Sequence, residues 1–395
     1  MIYFYFKIYH NKKMWIYILN VLLLIVYSFL IKDKKKYIIF SSIQCFLILA
    51  LRANTLGADA NYYNNGYEYI SKLSFWDMLS RLHLFKAASL IYPFKFESGY
   101  VFINWIVSHL GLSFHFFTVV CAGLNMYCFG KIIYKYSKNP CLSFVIFTTF
   151  GTYFYFFSIL RQSLALSFFM ISFMFAIDGK KKKSFLTYII TFIFHRASIV
   201  LLPMLLLANR DTKIKRKTAF FLFLLTFPFM IFSRYLLNYA QIVVNYLGGA
   251  SYVGGNFTLN NLLILLYIIL LLAIVFSNFK KNADNKLFSV LLWGLIISVY
   301  LDIMGQYNEV WERSVQMYTP FLILLIPMVT EQYNKQKAIY LINFCVGTLL
   351  IGYMCYYLSN SCLIPYKLQT QNLIFENETA YKENTMNINV AYKRN

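Results

Sequence analysis

The chain has 395 residues, 59% hydrophobic, 20% aromatic and only 13% charged, with a mean hydropathy of +0.57. Soluble domains carry about 25% charged residues, so the composition excludes a soluble enzyme with one anchor and implies an all-α, polytopic integral membrane protein. A net charge of +22 would suggest nucleic acid in a soluble chain. Here the lysines fall in short runs between apolar segments, at 32–36, 131–138, 180–183, 213–217 and 280–286. Such runs mark the cytoplasmic face and meet anionic headgroups, so no nucleic-acid partner is expected. The seven cysteines are scattered singly and read as packing residues, not a disulfide or metal framework. No small-residue cleavage site follows the first apolar segment, so no cleavable signal peptide is expected. Met14 is a second candidate start.

A spanning helix needs about 20 apolar residues. The first is expected at 14–31, closed by lysines. The second, 37–51, ends at Arg52, about 24 Å from Lys36 if helical. Residues 52–98 are the longest polar stretch before the tail and read as an external loop. Within it, a short helix from Ser74 to Phe85 is predicted, capped by Ser74 with Asp77 in its first turn. A span at 112–133 returns to the cytoplasm. Residues 141–177 are almost unbroken apolar sequence, about 55 Å as one helix, so the segment must turn, at Gly151-Thr152 or around 158–161. Arg161 then stands about 28 Å, one bilayer, from Lys180.

Segment 184–208 has basic clusters before and after it. A single span would put one cluster on each side, against the positive-inside rule. A short helical hairpin with its tip at His195-Arg196 keeps both inside. Further spans are expected at 218–236, 259–279, 287–301, 315–330 and 339–358. Residues 238–260 read as an uncharged external loop and 302–313 as a second polar one. The expected plan is one membrane domain over 1–358, with about ten transmembrane helices, the short hairpin and one long external loop. A polar, loosely ordered tail follows at 359–395.

Arg52, Arg161, Arg196 and Arg313 lie away from the lysine runs. A guanidinium deep in a bilayer or at its outer face marks a functional site by default, and its planar fork of donors suits phosphate. The bland alternative for each is a snorkelling side chain. Asp59, Glu97 and His195 are candidate bases for an acceptor hydroxyl. Against this, Asp59 serves equally as a turn residue, Glu97 as a favourable charge at a helix N-terminus, and His195 as a hydrogen-bonded core histidine. Tyr62 and Tyr63 are external aromatics suited to stacking on sugars. No histidine or acidic cluster has metal-ligand spacing, so neither a metal nor another cofactor is expected.

Four constellations recur in order between apolar helices: Arg52 with Gly57-Ala58-Asp59 and Tyr62-Tyr63; Glu97-Ser98-Gly99-Tyr100; Arg161-Gln162; and His195-Arg196-Ala197-Ser198. In this order and topology the chain resembles the EpsG family of Wzy-like bacterial polysaccharide polymerases. Arg313 before an aromatic-rich span fits a late arginine of the family pattern. Ala58 departs from it, standing where many relatives carry threonine or another polar residue. The resemblance implies a glycosyltransferase of the bacterial inner membrane that joins undecaprenyl-diphosphate-linked repeat units at the outer face, for O-antigen, capsule or exopolysaccharide. It implies roles for Arg161, Asp59, Glu97 and His195 in catalysis, and for Arg52, Gln162, Arg196, Arg313, Tyr62 and Tyr63 in binding. A flippase and a chain-length regulator of the same pathway are the implied partners, beside the bilayer and the lipid-linked substrate. A flippase or transporter, a glycan ligase and a membrane acyltransferase are the alternatives the residues leave open.

Overall fold

The computed structural model describes residues 14–83, 90, 94–246, 262–276, 284–307, 309–331 and 336–370. Among them every regular element is helical, apart from one isolated antiparallel bridge between Arg52 and Leu368. The chain opens with α1 (Trp15–Leu30) and α2 (Lys34–Ala50). Asp33 separates them and caps α2, accepting from the Lys36 N–H at 2.7 Å. The segment expected as a loop contains α3 (Ala60–Ser71), α4 (Phe75–Ser80) and the start of α5 (Ser98–His109). Ser74 caps α4 and Asp77 lies in its first turn, as the sequence predicts. That helix ends at Ser80, short of its expected end at Phe85, and residues 84–89 lie outside the described residues.

Next come α6 (Phe114–Tyr136), α7 (Pro140–Thr149), α8 (Thr152–Ser158), α9 (Leu160–Ile177) and α10 (Lys181–Phe194). The apolar run 141–177 breaks at both expected places. Between α7 and α8 the axis bends by 45° at Gly151. Gly151 has φ +98, and an added Cβ would stand 3.1 Å from the Tyr155 hydroxyl, so both its backbone and its surroundings favour glycine. The second break, at Ile159, releases α9 to start afresh with Arg161 in its first turn.

After α10, His195 is extended, a 3-10 turn covers Arg196–Leu201, and α11 (Leu202–Ala208) follows. The Asn209 amide donates to Ser184 Oγ at 3.2 Å, and the Tyr188 hydroxyl donates to the Ser198 carbonyl at 3.1 Å. The two ends of segment 184–208 therefore meet, as the hairpin requires. The remaining helices are α12 (Arg216–Tyr246), α13 (Leu262–Phe276), α14 (Lys286–Gly305), α15 (Glu309–Gln316), α16 (Leu322–Thr330) and α17 (Gln336–Ser359), with a 3-10 turn at Thr319–Phe321.

Among the described residues, five helices are long and apolar enough to cross a membrane, or six if the bent α7–α8 pair is one span. The expectation of about ten is not reached. α1 and α2 have 16 and 17 residues. The expected span 315–330 becomes a 3-10 turn at Pro320 followed by the nine-residue α16, which rises only about 14 Å. The expected loop 238–260 begins as helix, since 238–247 contains no glycine or proline, and α12 runs to Tyr246. Residues 247–261 lie outside the described residues. The expected loop 302–313 is also helical for most of its length, because α14 continues to Gly305 and α15 starts at Glu309.

Contacts join the lysine runs at one end of the bundle. Lys34 Nζ donates to the Ser137 carbonyl at 3.0 Å. Lys135 pairs with Asp178, Ser184 meets Asn209, and Lys213 pairs with Asp284 at 3.2 Å. α9 and α14 are largely buried. α12 and α17 present Phe221, Ile231, Phe232, Leu341 and Phe344 outward, an apolar surface suited to lipid. The tail is not loose where it begins. Ala53 N–H donates to the Lys367 carbonyl at 2.8 Å, Gln369 N–H to the Leu51 carbonyl at 3.0 Å, and the Tyr366 hydroxyl to the Ile48 carbonyl at 2.8 Å. Unpaired backbone groups after α2 thus find partners in a strap that crosses Arg52. Residues 371–395 lie outside the described residues.

Candidate active site

Each candidate arginine lies about one helix length from a lysine run. Arg161 starts α9, whose far end, Ile177, precedes Lys180. His195 follows α10, which starts at Lys181. A cation in the first turn of a helix faces the positive end of its dipole, so Arg161 needs an anion. Glu97 supplies it from the N-cap of α5: its Oε2 accepts from Arg161 Nη1 at 2.6 Å. The other oxygen, Oε1, lies 3.0 Å from His195 Nδ1 and 3.4 Å from the Arg196 backbone nitrogen. One carboxylate therefore joins α5, α9 and the tip of the hairpin.

Arg161 is held on its other sides too. Nη1 donates to the Lys95 carbonyl at 3.0 Å and Nε to the Tyr63 hydroxyl at 3.4 Å. Its guanidinium carbon lies 5.1 Å from the Phe96 ring centre and 5.8 Å from that of Tyr63, within cation–π range. Tyr62 fixes the same strand of backbone, its hydroxyl accepting from the Lys95 N–H at 3.0 Å. Burial alone would raise the Glu97 carboxyl, but the Arg161 guanidinium and then His195 outweigh it and hold it well below the usual carboxylate range. Burial pushes the Tyr63 phenol up, with Arg161 acting the other way.

Arg52 stands apart from this cluster. It is 5% exposed, under the strap, donates from Nη1 to the Phe156 carbonyl at 2.6 Å and lies over the Phe157 ring. It thereby meets the Phe156 carbonyl near the C-terminal end of α8, the negative end of a helix dipole. Burial lowers its pKa to about 10.

The family model for EpsG matches residues 35–368, from the first turn of α2 to the strap residue paired with Arg52. This chain belongs to the EpsG family. Members are Wzy-like polysaccharide polymerases, and the family implies a membrane setting and a lipid-linked substrate. No curated protein and no solved structure matches the chain.

The remaining EpsG-type residues take these places. Gly57 has φ +130 and its Cα faces the Phe157 carbonyl so closely that a Cβ would collide with it. The Ala58 N–H donates to Ser158 Oγ at 3.2 Å. This seats the first motif on the break between α8 and α9, just before Arg161. Asp59 is half-buried at the N-cap of α3, makes no side-chain cap bond, and lies close enough to act electrostatically on Tyr63. Gln162 is buried and donates to the Arg313 carbonyl at 3.5 Å; the Arg313 side chain is exposed on α15. Tyr62, Tyr63, Glu97, Arg161, His195 and Arg196 thus come together, with Asp59 and Gln162 at the margin. Arg52 stays apart beneath the strap, and Arg313 meets Gln162 through its backbone carbonyl. Sequence reading missed Phe96 and the Lys95 carbonyl; their only signal was adjacency to Glu97.

Proposed function

We propose that this protein is a glycosyltransferase of the polymerase type, working in the bacterial inner membrane. It joins oligosaccharide repeat units carried on a lipid diphosphate, taken to be undecaprenyl diphosphate, at the face opposite the lysine runs. The observation that carries this reading is the Glu97 carboxylate held between Arg161 and His195 at that end of the bundle.

In this reading a hydroxyl of the newly arrived unit attacks the anomeric carbon of the growing chain. A glycosidic C–O bond forms, and the C–O bond to the lipid diphosphate breaks. Glu97 holds Nδ1 of His195, which orients the imidazole and stabilises its charged form. The remaining nitrogen, Nε2, takes the hydroxyl proton. Charge builds on the departing diphosphate, and preorganised donors stabilise it. Arg161 supplies them at the N-terminus of α9, where helix dipole and guanidinium act in the same sense. Arg196 joins it from the hairpin tip, and Arg313 and Arg52 close the site at its edges. Asp59, Gln162, Tyr62 and Tyr63 position the sugars and the Arg161 fork. A flippase delivers the units, and a chain-length regulator limits the product.

The test is at Arg161. Arg161→Ala should abolish chain extension in a complemented deletion strain while single-repeat glycan persists. Arg161→Lys keeps charge but loses the fork, and should retain little activity, since one lost transition-state donor costs about 2.7–4 kcal/mol or 10²–10³ in rate. Full-length polymer from a well-expressed Arg161→Ala strain would remove this residue from the site.

A further inference from the structure

The break between α8 and α9 decides where Arg161 stands, and it is held from outside. Ser158 closes α8, Ile159 leaves the helical region with φ −113 and ψ 69, and α9 restarts at Leu160. Three consecutive residues at the end of α8 meet the segment 52–58. The Phe156 carbonyl accepts from Arg52 Nη1 at 2.6 Å. The Phe157 carbonyl faces the Cα of Gly57 with no room for a Cβ, and that Cβ would also stand 3.2 Å from Ser158 Cα. Ser158 Oγ accepts from the Ala58 N–H at 3.2 Å. Segment 52–58 is itself anchored. Ala53 N–H donates to the Lys367 carbonyl at 2.8 Å, Asn54 N–H donates to Gln369 Oε1 at 3.0 Å, and Asn54 Oδ1 lies 3.2 Å from His115 Nδ1 on α6.

A helix break leaves the last carbonyls of one helix and the first N–H groups of the next without intrahelical partners, so the direction in which α9 restarts depends on contacts from elsewhere. Each residue of slip at the break turns α9 by about 100° and swings Arg161 off Glu97. Glu97 is held separately, at the N-cap of α5. The next residue, Ser98, accepts from the His83 N–H at 2.8 Å and donates to the His83 carbonyl at 2.6 Å. The 2.6 Å contact between Glu97 and Arg161 therefore requires a fixed break. The positive φ of Gly57 by itself accounts for a glycine in a turn. The close approach to Phe157 and Ser158 is a second, independent demand for the missing side chain, and it falls on the break.

We propose that Gly57 and Ser158 are positioning residues for Arg161: they clamp the break between α8 and α9 and so set the guanidinium against Glu97. The effect on catalysis rests on the polymerase reading; the placement of Arg161 does not. Both residues act through the backbone of 157–161 and not on the substrate. Gly57→Ala pushes segment 52–58 and the break apart. Ser158→Ala removes the acceptor for the Ala58 N–H, and Ser158→Thr keeps it.

The test uses the detergent-solubilised full chain and, as probe, the lipid-diphosphate-linked repeat unit extracted from cells lacking the polymerase. Gly57→Ala should lower kcat for chain extension on the order of 10²-fold, the cost of misplacing a catalytic group by about 1 Å, while KM stays at the parental value. Ser158→Ala should lower kcat less, and Ser158→Thr should restore it. In an Arg161→Lys background Ser158→Ala should have no further effect, because both changes act on one group. With Arg161→Lys impaired, parental kcat in Ser158→Ala, no rescue by threonine, or the same fold-loss in the Arg161→Lys background would overturn the clamp. A melt reads the same geometry without activity, and it remains decisive if Gly57→Ala fails to fold. Glu97→Gln should lower Tm less in Ser158→Ala than in the parent, because the pair is already misplaced there; an equal lowering would overturn the clamp. A smaller lowering alongside parental kcat in Arg161→Lys would instead leave the clamp standing and remove the diphosphate role of Arg161.

Discussion

At one end of the bundle, Lys213 pairs with Asp284 with side chains 55% and 92% exposed; at the other, Arg161 pairs with Glu97 with side chains 19% and 7% exposed. The lysine pair is solvated, sits on single contacts and joins segments that the lysine runs already place on one side. The arginine pair is desolvated and shares its carboxylate with His195. Water stabilises a lysine wherever it reaches the interface, so the lysine end costs little and encodes orientation. A guanidinium taken out of water needs a partner. The arginine end therefore had to be built from four separate segments, those bearing Tyr63, Glu97, Arg161 and His195. Cations of the same formal charge thus lie solvated at one end of the bundle and hold a buried carboxylate at the other.

The sharpest way to break this comparison is to ask whether the two ends face opposite sides of the membrane. Cysteine placed at Lys72, Lys180 or Lys213 in a cysteine-free background should react with an impermeant maleimide in an all-or-none pattern. Lys72 is expected to label from outside, with Lys180 and Lys213 protected together. Labelling of only one of the latter two would contradict the hairpin and the hydrogen bond between Asn209 and Ser184.

The next largest effect is expected from Glu97→Gln. It leaves Arg161 buried without its anion, and breaking one partner of a buried pair costs about 3–5 kcal/mol. Polymer should disappear and the protein should melt earlier. The pH dependence follows from the depressed carboxyl. A group whose folded pKa lies below its ordinary value of 4.5 contributes its full stabilisation above that value and loses it as pH falls through the folded one. The melting advantage of the parent over Glu97→Gln should thus stay level from pH 7 to pH 5 and shrink only in stronger acid. An advantage already gone at pH 5 would mean that Glu97 is not held ionised by Arg161.

The smallest effect should come from Lys213→Ala. An exposed pair contributes about 0–1 kcal/mol, so polymer length should match the parent and the melt should move little. A large loss of activity there would erase the distinction between the two ends.

Composition and charge pattern alone give the class of molecule, an expected orientation across the membrane and the residues to test. Apolar length, lysine runs and isolated arginines are local properties, and each has a local physical cost that the chain must meet wherever it folds. The hairpin at 184–208 was legible for that reason, and so was the Ser74 cap. Which charges meet depends on how the helices pack. Glu97 reaches Arg161 across 64 positions and His195 across 98, and no periodicity encodes such pairs. The strap over Arg52 joins residues more than 300 positions apart. Asp302 follows an apolar run whose expected end is 301, in a segment that reads as a loop by its polarity. Its burial follows from α14 continuing to Gly305 and from α15 folding back onto it. Those are outcomes of packing between helices, where short-range sequence rules end and the shape of the whole bundle decides.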